Sequence, residues 1–200
     1  DGSTVSEANL IETGAVMDLS PKHQVHWQQL PDMPVGKWEP ASLVLNDKLH
    51  VLGGYEDNIV SSRRQHLFDP ADGSWTELQE CPSKISHVDL VEGDTGFWFA
   101  GGMKDKPGRK PKDHIIAEVW HFDPELDRFS AAPLLPGPRG GGALARVDNH
   151  LHYISGLMAD RDTDSPDHFV FDLAAWSQQV QRNGHTQLPC PCRETSTPLP

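Results

Sequence analysis

The sequence predicts an all-β fold of the propeller type, built from repeated units of four short strands, and three observations carry that expectation. An apolar-rich run ending on a glycine pair, Leu49-His50-Val51-Leu52-Gly53-Gly54, returns as Phe97-Trp98-Phe99-Ala100-Gly101-Gly102 and again as Leu151-His152-Tyr153-Ile154-Ser155-Gly156, with serine in place of the first glycine. Nineteen residues before that glycine or serine stands a proline, Pro34, Pro82 or Pro136, and seven residues before each proline stands an aromatic, Trp27, Trp75 or Phe129. After the glycines a variable loop leads to a Phe-Asp pair: Phe68-Asp69, Phe122-Asp123 and Phe171-Asp172. A spacing of 48 and then 54 residues between glycine positions, with short β-like runs punctuated by Gly and Pro, is the sequence form of stacked propeller blades.

Taken in order, residues 1–9 are polar and loose, and residues 10–34 read as half a blade, its two strands carrying Asp18 and Trp27 at the places of the later Asp and aromatic. The first full unit spans 35–82. Its inner strand around Leu43 turns at Asn46-Asp47, residue types that tolerate the left-handed backbone of a tight hairpin. The Asp69-Pro70-Ala71-Asp72-Gly73 turn then joins its third strand to its fourth. The second unit, 83–136, is six residues longer, and all six fall between Gly102 and Phe122. The third, 137–176, opens on Gly140-Gly141-Gly142, which suits crowding of inner strands near an axis. It departs at its end, because Trp176 stands four residues beyond Asp172, whereas Trp75 and Phe129 stand six beyond theirs. Residues 177–200 read as an irregular, proline-rich tail.

These columns resemble the kelch-repeat superfamily, whose units combine a glycine pair closing the second strand, an aromatic-Asp after it and a tryptophan in the fourth strand. The resemblance covers residues 10–176 and implies four-stranded antiparallel blades packed face to face around a channel, here three complete blades and a half blade, a fragment of a six- or seven-bladed propeller. It implies that Trp27, Trp75 and Phe129 pack between blades. The superfamily shares its architecture with a copper-radical oxidase resembling galactose oxidase, which needs a tyrosine cross-linked to cysteine, a second tyrosine and two histidines. With only Tyr55 and Tyr153 present and no cysteine in a matching context, that chemistry is not expected, and neither a metal nor another cofactor is implied.

Composition narrows the partners. A net charge of −12 argues against nucleic acid, and no apolar run reaches the length of a membrane span. Cys81, Cys190 and Cys192 cannot form a disulfide framework, which leaves secreted, periplasmic and cytoplasmic locations open. The chain begins at Asp1 without a basic-then-apolar leader, as a processed product or excised piece would. Eleven histidines invite a metal site, yet His50, Trp98 and His152 share one column and His66, Trp120 and Phe169 another, so these histidines stand where aromatics pack.

A blade scaffold leaves recognition to the loops at the channel mouth. The residues just after each proline begin the inner strands there, and Lys37, Trp38, Glu39, His87 and Arg139 form the candidate ligand site, an aromatic plate among mixed charges. The insertion of the second unit carries Lys104, Lys106, Arg109, Lys110 and Lys112, a candidate contact loop for an acidic partner. The expected function is a non-catalytic binding or scaffold module for a protein, peptide or carbohydrate. The alternative is a sugar-processing kelch enzyme resembling a sialic-acid mutarotase. Open blade edges beside Trp176 are expected to favour self-association.

Overall fold

The structure is a computed structural model that describes residues 27–57, 60–105 and 114–182. It divides into two compact units, Asp1–Leu30 and Pro31–Pro200. The first contributes only residues 27–30 to the described set, without regular structure and with Trp27 fully exposed. The expected burial of Trp27 is therefore not met among the described residues, of which 27–30 form no strand. The rest of the expected half blade lies almost wholly outside the described residues.

The second unit holds three antiparallel sheets in chain order. Blade 1 is β1 (Ala41–Leu45), β2 (Lys48–Leu52), β3 (Gln65–Asp69) and β4 (Ser74–Leu78). Blade 2 is β5 (Val91–Glu92), β6 (Phe97–Ala100), β7 (Val119–Asp123) and β8 (Arg128–Ala132). Blade 3 has three strands, β9 (Ala143–Val147), β10 (His150–Ile154) and β11 (His168–Asp172), and then a helix, α1 (Leu173–Arg182). The partial propeller is present, with its third blade one strand short of the expectation among the described residues.

Turn chemistry explains both the strands and the exception. Asn46 and Asp47 take φ of 52° and 59°, the left-handed pair that a two-residue hairpin demands. The aspartate of each Phe-Asp pair accepts a backbone N–H just ahead of it, Asp69 from Ala71, Asp123 from Glu125 and Asp172 from Ala175, each at 2.9 Å. In blades 1 and 2 the chain then returns through a left-handed residue, Gly73 or Asp127, into the fourth strand. After Asp172 the sequence Leu173-Ala174-Ala175-Trp176-Ser177-Gln178 offers no glycine or proline and good helix formers, so the same carboxylate caps a helix instead. The expected irregular tail is thus helical as far as Arg182.

Alternation puts each strand's apolar residues onto the two faces of its blade, and two cores result. Leu45 and Leu52 of blade 1 meet Phe97, Phe99, Trp120, Phe122 and Phe129 of blade 2. Trp98, Ala100, Val119 and Ala132 of blade 2 meet Leu144, Leu151 and Tyr153 of blade 3, with Leu173 and Trp176 of α1 closing the rim. Phe129 is buried in the first of these cores, as its column predicts. Trp75 is only half-buried, tilted on Phe68 at 4.9 Å with its indole N–H given to Pro31 O.

Candidate functional site

Beyond the glycine positions the first three strands of every blade continue as single bridges. They join Trp38, Tyr55 and Ser61 in blade 1, Ser86, Met103 and Ile115 in blade 2, and Gly140, Leu157 and Asp164 in blade 3. The next residue, five beyond the unit's proline, is left-handed each time: Glu39 at φ 53°, His87 at 54° and Gly141 at 64°. For residues with a side chain this backbone costs about 1–2 kcal/mol, and such strain gathers where a geometry must be held. Here it brings Glu39 and His87 together, Oε2 to Nε2 at 2.9 Å.

Around that pair stands an aromatic platform. Trp38 stacks on Tyr55 with centroids 4.7 Å apart and planes 26° from parallel, and the His87 ring meets Tyr55 edge-on at 6.0 Å. Tyr55 is 1% exposed while Trp38 is 40% exposed, so one face of a half-exposed indole rests on a fixed base. Ser86 Oγ lies 3.0 Å from His87 Nδ1, which orients the imidazole from behind. The group offers a flat apolar surface beside an acid and an imidazole, able to stack a ring and hydrogen-bond its polar substituents.

The glycine pairs are structural. A Cβ at Gly53 would stand 2.3 Å from Ile85 O and one at Gly101 2.4 Å from Arg139 O, both carbonyls of the following blade. The second glycine uses this closeness, Gly54 N–H donating to Ile85 O and Gly102 N–H to Arg139 O. The pair is therefore the seam between blades, and it leaves the residues beyond it to face the mouth.

Two of the five expected ligand residues turn away from that mouth group. Lys37 gives its ammonium to Arg64 O at 2.8 Å, and burial lowers its pKa to about 8. Arg139 is buried, donates to Pro138 O, pairs with Asp167 and lies over the Phe169 ring at 5.5 Å. Long cationic side chains find carbonyls and carboxylates within their own blade, whereas Trp38, Glu39 and His87 are aimed by the backbone itself. Sequence reasoning missed Tyr55, although the residue after each glycine pair, Tyr55, Met103 or Leu157, is apolar in all three units.

No protein-family model matches the chain. It is similar to the N-acetylneuraminate epimerase of Pasteurella multocida, 27% identical over 173 residues that cover 69% of this chain and 46% of that protein. It is also similar to Kelch-like protein 33 of Homo sapiens, 28% identical over 139 residues covering 66% and 24%. Among solved structures, that of YjhT matches with a TM-score of 0.65 at 18% identity, over 74% of this chain and 53% of the other. In sequence and in fold the chain resembles the kelch-repeat superfamily. It spans less than half the length of the curated relatives it matches.

Within these kelch units one further column is charged throughout. Four residues before the Phe of each Phe-Asp pair stand Arg64, Glu118 and Asp167, and each is paired: Arg64 with Glu56 at 3.7 Å, Glu118 with Lys104 at 2.9 Å, Asp167 with Arg139. Blades 1 and 2 thus hold the same pair with the charges exchanged. Burial alone would raise the Glu118 carboxyl, but hydrogen bonds from Ser83, Trp120 and Lys104 outweigh it and hold the pKa below the ordinary value. Lys104 of the basic insertion is therefore committed to its own blade. Lys106, Arg109, Lys110 and Lys112 lie outside the described residues. Those residues contain no group of three or more His, Cys, Asp or Glu side chains able to hold a metal ion.

Proposed function

We propose that the kelch blades act as a scaffold whose loop end binds an extended peptide of a partner protein, with Trp38 on Tyr55 as the anchor and Glu39 with His87 as the polar contact. The observation that carries this reading is a half-exposed indole on a buried tyrosine, next to a carboxylate–imidazole contact held on left-handed backbone. Rigid aromatic anchors with a polar rim are what partner surfaces use for affinity, and resemblance to Kelch-like protein 33 is consistent with a scaffold. Selection of a displayed random peptide library on the immobilised full chain tests it. Enrichment that falls by about tenfold or more with Trp38→Ala is expected; no enrichment over the Trp38→Ala protein would remove the proposal.

One specific observation favours a second reading, a sugar isomerase. The similarity to N-acetylneuraminate epimerase coincides with a carboxylate and an imidazole in hydrogen-bonding distance, the two group types that shuttle protons at neutral pH. Exchange between the anomers of N-acetylneuraminate, followed by NMR, distinguishes the two. Acceleration by the chain that disappears with His87→Ala would establish the enzyme, and an unchanged exchange rate leaves the binding module.

A further inference from the structure

Among the described residues β11 is the last strand of its blade, where blades 1 and 2 add a fourth. Among the described residues it pairs with β10 alone. Under its inward face, between blades 2 and 3, lies a cavity of about 310 Å³, lined by Phe169 and Phe171 of β11, Leu144 and Tyr153 of β9 and β10, Val119 of β7 and Leu134 of the segment after β8. In blade 2 the corresponding space is filled by Phe129 and Ala131 of β8, which stand opposite Phe122 and Trp120 of β7. The cavity is the room that a fourth strand's inward side chains would take, and no fourth strand of blade 3 lies among the described residues.

Exposed edges are ordinarily blunted by lysine, proline or a bulge. β11 reads His168-Phe169-Val170-Phe171-Asp172, with neither lysine nor proline and with Val170 55% exposed at its centre. We propose that this edge takes a second copy of the chain, β11 against β11, antiparallel about a two-fold axis at Val170. In that register residue 168 faces 172, residue 169 faces 171, and Val170 faces itself. Side chains alternate, so one face sets each Phe169 beside the other copy's Phe171 over the apolar cavity. The opposite face sets His168 against Asp172 on both sides of the paired valines.

The atoms for these contacts are at hand. His168 uses Nε2 towards His152 Nδ1 at 2.9 Å, which leaves Nδ1 to meet a carboxylate. Asp172 uses Oδ1 to cap α1, which leaves Oδ2. A slip by one residue would turn the aromatic face of one copy against the charged face of the other, so the register is specified. The outer strands of the other blades lack this self-complementarity: a two-fold pair of β4 would oppose Trp75 to Glu77, and one of β8 would oppose Arg128 to Ala132. The contact is isologous and closes at two copies.

Sedimentation velocity of the full 200-residue chain across a concentration series tests the pairing, with Cys190→Ser and Cys192→Ser introduced so that engineered thiols can be read. A reversible dimer is expected. Val170→Lys, at an exposed position that does not disturb folding, places two ammonium groups at the axis and should weaken the dimer by about tenfold or more. Val170→Cys should give a disulfide-linked dimer on mild oxidation, and Val147→Cys, equally exposed but on β9, should not. A chain monomeric at all concentrations would overturn the proposal. So would a dimer indifferent to Val170→Lys, or one that Val147→Cys links as readily as Val170→Cys.

Discussion

Blades 2 and 3 begin alike and end differently. Each runs from a proline through a left-handed mouth residue to the glycine position, Gly101-Gly102 or Ser155-Gly156, and a Phe-Asp pair, with β6 to β7 and β10 to β11 in the same antiparallel pairing. At Asp123 the chain turns back into β8; at Asp172 the equivalent carboxylate starts a helix. The Phe-Asp pair therefore marks the end of a third strand without choosing between a fourth strand and a helix. That choice lies in the next four or five residues, where proline and a left-handed position make a hairpin and their absence makes a helix. The consequence reaches the surface, because a completed blade has a filled rim, whereas among the described residues the third has an unpaired β11 edge above a cavity.

The strongest test of this comparison sets the fourth-strand aromatics against each other. Phe129 is enclosed, with ring centroids 4.7 Å from Phe122 and 6.2 Å from Phe99. Phe129→Ala should cost about 3–5 kcal/mol. Trp75 has one tilted partner and a half-exposed ring, so Trp75→Ala should cost about half as much, near 2 kcal/mol. Equal losses in chemical denaturation would mean that the two positions are packed alike.

Next in size is an exchange across the seam. Gly53→Ser pushes a Cβ against Ile85 O in a left-handed backbone and should destabilise by about 2–4 kcal/mol. Ser155 occupies the matching position in blade 3 with φ 63° and an exposed side chain, so Ser155→Gly relieves strain without opening a contact and should stabilise by about 1 kcal/mol. If both substitutions moved the denaturation midpoint the same way, the seam would not be the reason for the glycines.

Much of the fold was legible in the sequence because the repeat columns record backbone constraints. Glycine at 53 and 101 answers to a carbonyl of the next blade, the Asn46-Asp47 turn to a hairpin, and Glu39 and His87 to one mouth position counted from the prolines. What the columns could not show was the direction of long side chains, so Lys37 and Arg139 were placed at the mouth when their charges are satisfied by Arg64 O and Asp167. Nor could an aromatic spacing distinguish a strand from a helix: Trp176 reaches the blade interface, 4.9 Å from Trp98, but does so from α1. The early arrival of Trp176, two residues ahead of its column, was the signal of that change.

A smaller effect is expected where the helix begins. Asp172→Ala removes the acceptor for Ala175 N–H and should cost about 1 kcal/mol, the usual worth of an N-cap. Loss of helical ellipticity should accompany it, along with some freeing of Trp176 fluorescence. Asp123→Ala, in the hairpin of blade 2, should leave the ellipticity unchanged. A change of equal size in both variants would show that the two aspartates do the same work.

The smallest expected effect concerns a column that blades 2 and 3 fill with aromatics and blade 1 fills with His66. The side chain is 1% exposed, and neither ring nitrogen has a hydrogen-bond partner. Burial first, and then the neighbouring charge of Lys37, hold its pKa below the ordinary 6.5. An unfolded chain takes up this proton near pH 6.5 and the folded chain resists it. The resulting stability is complete above that pH, declines as pH falls towards the folded pKa, and is lost below it. Burial lowers His50, His114 and His121 as well, so they share the slope. His66→Phe copies Phe169, leaves no unpaired nitrogen, and should change stability at neutral pH by less than about 1 kcal/mol. Its mark is the pH profile: the denaturation midpoint should fall less between neutral and mildly acidic buffer than it does in the parent chain. A profile identical to the parent's would show that His66 does not carry the acid sensitivity, and that the aromatic and histidine occupants of this column are equivalent in packing alone.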